Sequence, residues 1–214
     1  MHRPGDPIAL KTALVVISDR SGSMNKIRED AEGGINDLIV EQCSEEGTCL
    51  VTLVEFSTGV ETVCEMLPAN SVPPYVLRPR GNTALLDAIG DTLSRVEESI
   101  EALPADERPD TVIVAVMTDG GENASREWTK AQVFAEVTRL TEKGWQFSFI
   151  GANQDAIREG GGLGVNAASS LTYDASGAGV RGAVSSFSAA ASRVRRGEDA
   201  VLSYSVAERK AARS

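Results

Sequence analysis

The sequence predicts an α/β fold: a doubly wound, mostly parallel sheet with one antiparallel edge strand and helices on both faces. Short, continuous apolar runs rich in β-branched residues, such as "TALVVIS" and "TVIVAVMT", are typical of strands that are covered on both faces. Segments with apolar residues at helical spacing separate these runs. This alternation is the pattern of a doubly wound sheet with right-handed crossover connections.

The first part of the chain predicts three strands and one helix. Residues 12–18 form the first strand, and apolar residues at helical spacing follow from Met24 onward. Residues 49–56 form the second strand. Residues 59–67 alternate in polarity and follow a turn too short for a crossover, so they are predicted to be the antiparallel edge strand. A proline-rich loop covers residues 68–79.

The second part continues the alternation. The predicted helices cover residues 83–100, 127–143, 155–160 and about 178–195, and the predicted strands cover residues 111–118, 145–151 and 169–173. From residue 196 the apolar pattern weakens. The chain is therefore divided into a flexible N-terminus (residues 1–11), one domain (residues 12–195) and a solvated C-terminal tail (residues 196–214).

Composition narrows the possible partners. The chain has 214 residues, of which 42% are apolar, and a formal net charge of -10. The apolar fraction is sufficient for a core. The negative charge argues against binding to nucleic acid or to an anionic membrane, because there is no excess of Lys and Arg to neutralise phosphates. An acidic protein that binds an acidic ligand needs a local positive centre, such as a metal ion.

Cysteine and histidine usage indicates a compartment and excludes some chemistry. Three cysteines without a CxxC spacing predict a reducing environment, although Cys43 and Cys49 could pair in an oxidising one. The chain shows neither an apolar signal segment nor a run of about 20 apolar residues, so we expect a soluble, cytoplasmic protein. The single histidine, His2, lies in the N-terminus, which argues against Ser-His catalysis and against a histidine-rich zinc site.

Three loops carry similar polar side chains next to predicted strands or helices. They are "DRSGSM", "RGNTALLDAI" and "MTDGGENAS", and they contribute Asp19, Ser21, Ser23, Thr83 and Asp119. Taken singly, each loop is explained by a turn or a helix cap. Ligands of doubly wound sheets bind beyond the carboxyl ends of the strands, where the winding direction reverses, so these loops are expected to converge there.

The combined set contains only oxygen donors. Two carboxylates and three hydroxyls, without Cys or His, suit Mg²⁺, or alternatively Mn²⁺ or Ca²⁺, rather than zinc or copper. Gly22 is expected to let the loop curl so that Ser21 and Ser23 face the same point.

The three loops together resemble the signature of von Willebrand factor type A domains. "DRSGSM" matches the Asp-x-Ser-x-Ser motif of that family, "GNTALLDAI" is similar to its threonine loop, and "MTDGGE" is similar to its aspartate loop. The loops occur in the family's order, and the resemblance covers residues 12–195. The segments "FIGANQDA" and "LGVNAASSLTY" are similar to stand-alone bacterial and phage-encoded members.

The resemblance implies a metal-ion-dependent adhesion site and a non-catalytic function. Ser21, Ser23 and Thr83 would touch the metal directly, and Asp19 and Asp119 would bind it directly or through water. The metal would then hold an Asp or Glu side chain of a partner protein. Arg20, at the variable position of the motif, is expected to point to solvent. Glu122 and Asn123 are interpreted as turn residues.

Two alternatives stay open at this point. The first is a metal-assisted, phosphate-processing hydrolase on a Rossmann-like fold. It needs a general base, for which Glu122 is the one candidate in the three loops, and Ser21 stands where a haloacid-dehalogenase-like phosphatase has its second Asp. The second alternative is a purely structural domain with vestigial loops, which the completeness of the oxygen set argues against.

Overall fold

The computed structural model describes residues 10–152 and 155–213. Within these ranges the strands are β1 (Lys11–Asp19), β2 (Thr48–Phe56), β3 (Val60–Pro68), β4 (Thr111–Thr118), β5 (Gln146–Ala152) and β6 (Ser170–Tyr173). The helices are α1 (Arg28–Ser44), α2 (Leu85–Ala102), α3 (Lys130–Glu142), α4 (Ala156–Gly161), α5 (Gly177–Arg195) and α6 (Val206–Ala211). Nearly all of the predicted N-terminal segment, with His2, lies outside the described residues.

The strands form one sheet in the order β3-β2-β1-β4-β5-β6. All neighbouring pairs are parallel except β2 and β3, which form an antiparallel hairpin. The predicted α/β fold with one antiparallel edge strand is therefore confirmed. The winding direction reverses between β1 and β4, which places the expected ligand-binding position at their carboxyl ends.

The side chains of β1 explain why this strand lies at the centre of the sheet. Leu14 and Val16 point into the core that α1 and α5 cover, while Val15 and Ile17 point into the core that α2 and α3 cover. All four are buried. A strand with apolar side chains on both faces needs cover on both, and here the two helical layers provide it.

The C-terminal segment differs from its prediction. Residues 196–213, interpreted from the sequence as a tail, fold back and include α6, which packs against α5 and β6. Leu202, Tyr204 and Ala212 are buried in the core on the α1 and α5 side. Arg193 at the end of α5 donates to Glu208 Oε1 at 2.7 Å and so holds α6 in place. The apolar residues of this segment are too few and too unevenly spaced to produce a recognisable pattern.

Other features bear on the predicted environment. Within the described part of the chain, the structure has no helix with both the length and the apolar character that crossing a membrane requires. Cys43, Cys49 and Cys64 are all free thiols.

The packing of the C-terminal segment predicts a clear difference between two adjacent positions. Leu202 is fully buried and Val201 is 55% exposed. Leu202→Ala should lower the free energy of unfolding by about 2–5 kcal/mol, because it leaves a cavity in the core. Val201→Ala should change it by no more than about 0.5 kcal/mol. Urea unfolding of both variants measures this, and equal, negligible effects would mean that the segment is a tail after all.

Candidate metal centre

The candidate centre lies at the carboxyl ends of β1 and β4. Ser18 pairs with Met117 across these strands, so the next residues, Asp19 and Thr118, stand side by side. The loop that carries Ser21 and Ser23 leaves from β1, and Asp119 follows β4 directly. Sheet pairing therefore brings two of the three predicted loops together.

Asp19 is the innermost residue of the site and is fully buried. Its Oδ1 accepts a hydrogen bond from the backbone N–H of Ser21 at 2.7 Å, and its Oδ2 accepts one from Thr118 Oγ1 at 2.6 Å. Thr118 Oγ1 in turn accepts from the backbone N–H of Gly120 at 3.1 Å. The carboxylate thus links the first loop to the end of β4 and fixes its own orientation.

A chain of hydroxyl contacts connects the loops. Ser21 Oγ and Ser23 Oγ lie 3.0 Å apart, and Ser23 Oγ donates to Asp119 Oδ1 at 2.6 Å. Ser21 is buried and Ser23 is exposed. The oxygen atoms therefore run from the protein interior to the surface, so that the centre is accessible from solvent on the Ser23 side.

Thr83 comes from the loop before α2 and completes the set. A Cβ atom at Gly120 would stand 3.5 Å from Thr83 Oγ1 and 3.9 Å from Ser23 Oγ, so both hydroxyls border the same small space. The backbone N–H of Thr83 donates to Asn123 Oδ1 at 2.9 Å, and the N–H of Asn123 donates back to the carbonyl of Thr83 at 3.0 Å. This reciprocal pair ties the threonine loop to the aspartate loop.

Burial makes the two carboxylates electrostatically unfavourable without a cation. Loss of solvation raises the pKa of Asp19, although the hydrogen bonds from Thr118 and Ser21 oppose the shift. Loss of solvation also raises the pKa of Asp119, and the nearby charge of Asp19 raises it further. Within the described residues, neither carboxylate forms an ion pair with Lys or Arg.

These features fit a hard divalent cation. The structure brings together the five predicted side chains, and their donors are two carboxylates and three hydroxyls, the ligand type that Mg²⁺ and Ca²⁺ prefer. In the part of the chain that is described, no group of three or more His, Cys, Asp or Glu residues is arranged to hold a metal. A metal bound here would therefore need ligands of other types besides the two carboxylates, and the three hydroxyls are of a suitable kind. The role of the five residues as metal ligands stays a prediction.

Arg20 was predicted wrongly. It is buried, with 3% of its surface exposed, instead of pointing to solvent. Its guanidinium donates to Glu55 Oε1 at 2.8 Å and forms an ion pair with Glu61. The sequence gives no sign of this because both partners come from the β2–β3 hairpin.

The prediction for Gly22 was right in outcome and wrong in its reason. The hydroxyls of Ser21 and Ser23 do face each other, but Gly22 is not among the described glycines with positive φ. The loop curls because it forms a 3₁₀ turn, in which the N–H of Met24 donates to the carbonyl of Ser21 at 3.1 Å.

Glu122 and Asn123 do more than shape their own turn. Asn123 binds the backbone of Thr83, and Glu122 Oε2 accepts from the backbone N–H of Leu86 at 2.9 Å in the first turn of α2. Thr118 was not identified from the sequence as part of the site, since its contact with Asp19 depends on the pairing of two distant strands. The one feature of the sequence that could have indicated its role is its position as the last residue of a predicted strand, directly before Asp119.

Comparison with known proteins shows the fold. No protein-family model matches the sequence, and no curated protein matches it either. Among solved structures, the mussel byssus proximal thread matrix protein 1 with a zinc-occupied MIDAS motif is similar, with a TM-score of 0.61 and 18% identity. That alignment covers 82% of this chain and 46% of the mussel chain, so this chain spans less than half of that protein.

Two further solved structures are similar to this chain over most of its length. A von Willebrand factor type A protein from Catenulispora acidiphila has a TM-score of 0.63 and 15% identity, with 86% of this chain and 43% of that chain covered. The manganese-loaded TRAP protein of Plasmodium vivax has a TM-score of 0.52 and 15% identity, with 77% and 68% covered. This chain therefore has the fold of von Willebrand factor type A domains.

The bond between Thr118 and Asp19 predicts a site-specific loss of stability. Thr118→Val removes a buried donor from a carboxylate and should lower the free energy of unfolding by about 1–3 kcal/mol, measured by urea unfolding with chelator present. Thr12→Val is the matched control, because the hydroxyl of Thr12 is also buried but has no hydrogen-bond partner among the described residues. The control should leave stability unchanged or slightly raise it. Equal effects of the two variants would contradict the anchoring role of Thr118.

Proposed function

We propose that this protein is a non-catalytic, metal-dependent protein-interaction module. It binds one Mg²⁺, or alternatively Mn²⁺ or Ca²⁺, through Asp19, Ser21, Ser23, Thr83 and Asp119. The bound cation then accepts an Asp or Glu side chain of a partner protein as a further ligand.

One observation carries this proposal: oxygen atoms from three loops meet at one end of the sheet and extend from a buried carboxylate to an exposed hydroxyl. Ser21 Oγ contacts Ser23 Oγ at 3.0 Å, and Ser23 Oγ contacts Asp119 at 2.6 Å. The exposed side of this set gives a partner access. A divalent ion bound here supplies a positive centre, which explains how a chain with a net charge of -10 could hold an acidic ligand.

The structural neighbours support a divalent cation without specifying which one. The mussel protein has zinc in its MIDAS motif, and the Plasmodium protein is manganese-loaded. We favour Mg²⁺ for this chain because the proposed ligands are all hard oxygen donors.

The hydrolase alternative has a specific difficulty. Its candidate base, Glu122, already accepts hydrogen bonds from the N–H groups of Ala124 and Ser125 and from the Ser125 hydroxyl, at 2.9, 2.8 and 2.7 Å. Although desolvation opposes the shift, these hydrogen bonds lower the pKa of Glu122. A general base is most effective with a pKa near the working pH, so Glu122 is poorly suited to this role. We therefore propose that the protein is not an enzyme.

The remaining features of the proposal concern location and partners. The free thiols and the negative charge support a cytoplasmic protein that binds neither nucleic acid nor membrane. The bacterial or phage origin inferred from the resemblance stays a prediction.

Calorimetry with Mg²⁺ tests the metal directly. The wild type should bind one Mg²⁺, and Asp119→Asn should lose measurable binding because it removes a charged ligand while keeping an oxygen that can accept from Ser23. Asp110→Asn is the matched control: Asp110 lies just before β4, where its carboxylate accepts from the N–H of Lys11 at 2.8 Å. Equal, undetectable binding by all three proteins would remove the proposed metal site.

An affinity experiment tests the partner. Proteins retained by the immobilised chain in Mg²⁺ should elute with chelator or with a high concentration of free glutarate, which competes for the metal through its carboxylates. A Thr83→Ala chain should not retain them, since it lacks one proposed ligand. Retention that is insensitive to chelator, to glutarate and to the Thr83 substitution would contradict binding through the metal.

A further inference from the structure

Arg20 lies in the chain between two proposed metal ligands, Asp19 and Ser21. Its backbone N–H donates to the carbonyl of Phe56 at the end of β2, at 2.8 Å. Its own carbonyl accepts from the N–H of Arg80 at 2.7 Å. The main chain at this position is therefore hydrogen-bonded both to the β2–β3 hairpin and to the segment that leads to Thr83.

The side chain of Arg20 connects the same elements a second time. One arm of the guanidinium donates to Glu55 on β2 at 2.8 Å, and the other pairs with Glu61 on β3. Glu61 also accepts from Arg80 Nη2 at 3.0 Å, so that one carboxylate bridges both arginines. The hydrogen bond from Arg20 is the main reason why the pKa of Glu61 is lowered.

Burial of this guanidinium needs an explanation beyond stability. A buried ion pair is weak support for stability, because the cost of desolvation offsets much of the attraction. Here the Nε of Arg20 is buried without a hydrogen-bond partner in the described structure, which adds to that cost. What the pairs do achieve is geometric: they join the side chain that lies between Asp19 and Ser21 to both strands of the β2–β3 hairpin.

We propose that Arg20 is a positioning residue for the metal: its pairs with Glu55 and Glu61 hold the first ligand loop in the conformation that the cation requires. This inference rests on the proposed function, since it concerns the same centre. Residues that orient metal ligands without touching the metal typically change its affinity about 10–100-fold when they are substituted.

If Arg20 acted only through its charge, its removal would change the Mg²⁺ affinity in the opposite direction. A positive charge beside a cation site repels the cation, so removing it should strengthen Mg²⁺ binding. Positioning predicts that the same substitution weakens binding. The direction of the change therefore distinguishes a residue that orders the ligand loop from one that merely contributes charge.

The experiment measures the Mg²⁺ dissociation constant of Arg20→Gln by calorimetry. We expect affinity to fall by about tenfold or more, and Arg20→Lys to recover part of the loss, because an ammonium group can pair with one carboxylate but lacks the two-armed geometry. Arg139→Gln is the matched control. Arg139 pairs with Glu97 between α3 and α2, so its substitution should leave Mg²⁺ affinity unchanged.

A second variant separates positioning from folding. Arg20→Gln leaves Glu55 without its charged partner, whereas Arg20→Gln combined with Glu55→Gln keeps the local net charge and avoids an unpaired carboxylate. Thermal unfolding in chelator reports whether each protein is folded. The combined variant should be folded and still bind Mg²⁺ at least about tenfold more weakly than the wild type.

The outcomes are distinguishable. If the wild type binds Mg²⁺ and the folded Arg20 variants bind it equally well or more tightly, the positioning role is refuted while the metal site stands. If the wild type binds no Mg²⁺, the proposed function fails, and the role of Arg20 fails with it.

Discussion

The adjacency of β1 and β4 is the constraint on which the rest of the site depends. Because these two strands are neighbours and their loops leave in opposite directions, Asp19 and Asp119 share one small space although they are far apart in the chain. Burial raises the pKa of each carboxylate, and the nearby charge of Asp19 raises the pKa of Asp119 further. The fold thus maintains an electrostatic conflict that a bound divalent cation would relieve.

The contacts around this pair serve to keep oxygen atoms in place. Thr118 fixes Asp19, Asn123 fixes the backbone of Thr83, and the serine hydroxyls bridge to Asp119. If these residues are the ligands that we propose, such an arrangement is preorganised, because hydrogen bonds within the protein already hold their oxygen atoms. It also relates the acidic composition to the proposed partner: an acidic chain needs a local positive centre to attract a carboxylate, and a cation bound here would provide one.

The sequence was sufficient to predict the fold and to predict that five polar side chains come together at one end of the sheet, and the reasons are local. Their role as metal ligands stays a prediction. Continuous apolar runs predict buried strands. A polar residue directly after such a run lies at the carboxyl end of its strand, which is where ligands of doubly wound sheets bind. Most of the contacts that were missed or mispredicted depend on distant parts of the chain. Arg20 pairs with Glu55, 35 residues away, and Thr118 donates to Asp19 over 99 residues. Leu202, Tyr204 and Ala212 join the core from a segment with little regular structure, so no periodic pattern could predict their burial.

Diffraction from a crystal grown with Mn²⁺ would show whether a cation binds between these loops, because manganese scatters anomalously and its position can be located without assumptions about the ligands. We expect one strong anomalous peak between the hydroxyls of Ser21, Ser23 and Thr83, with Asp19 and Asp119 bound to the manganese directly or through water. A well-ordered site without an anomalous peak, or a peak only at a different place on the molecule, would contradict this expectation.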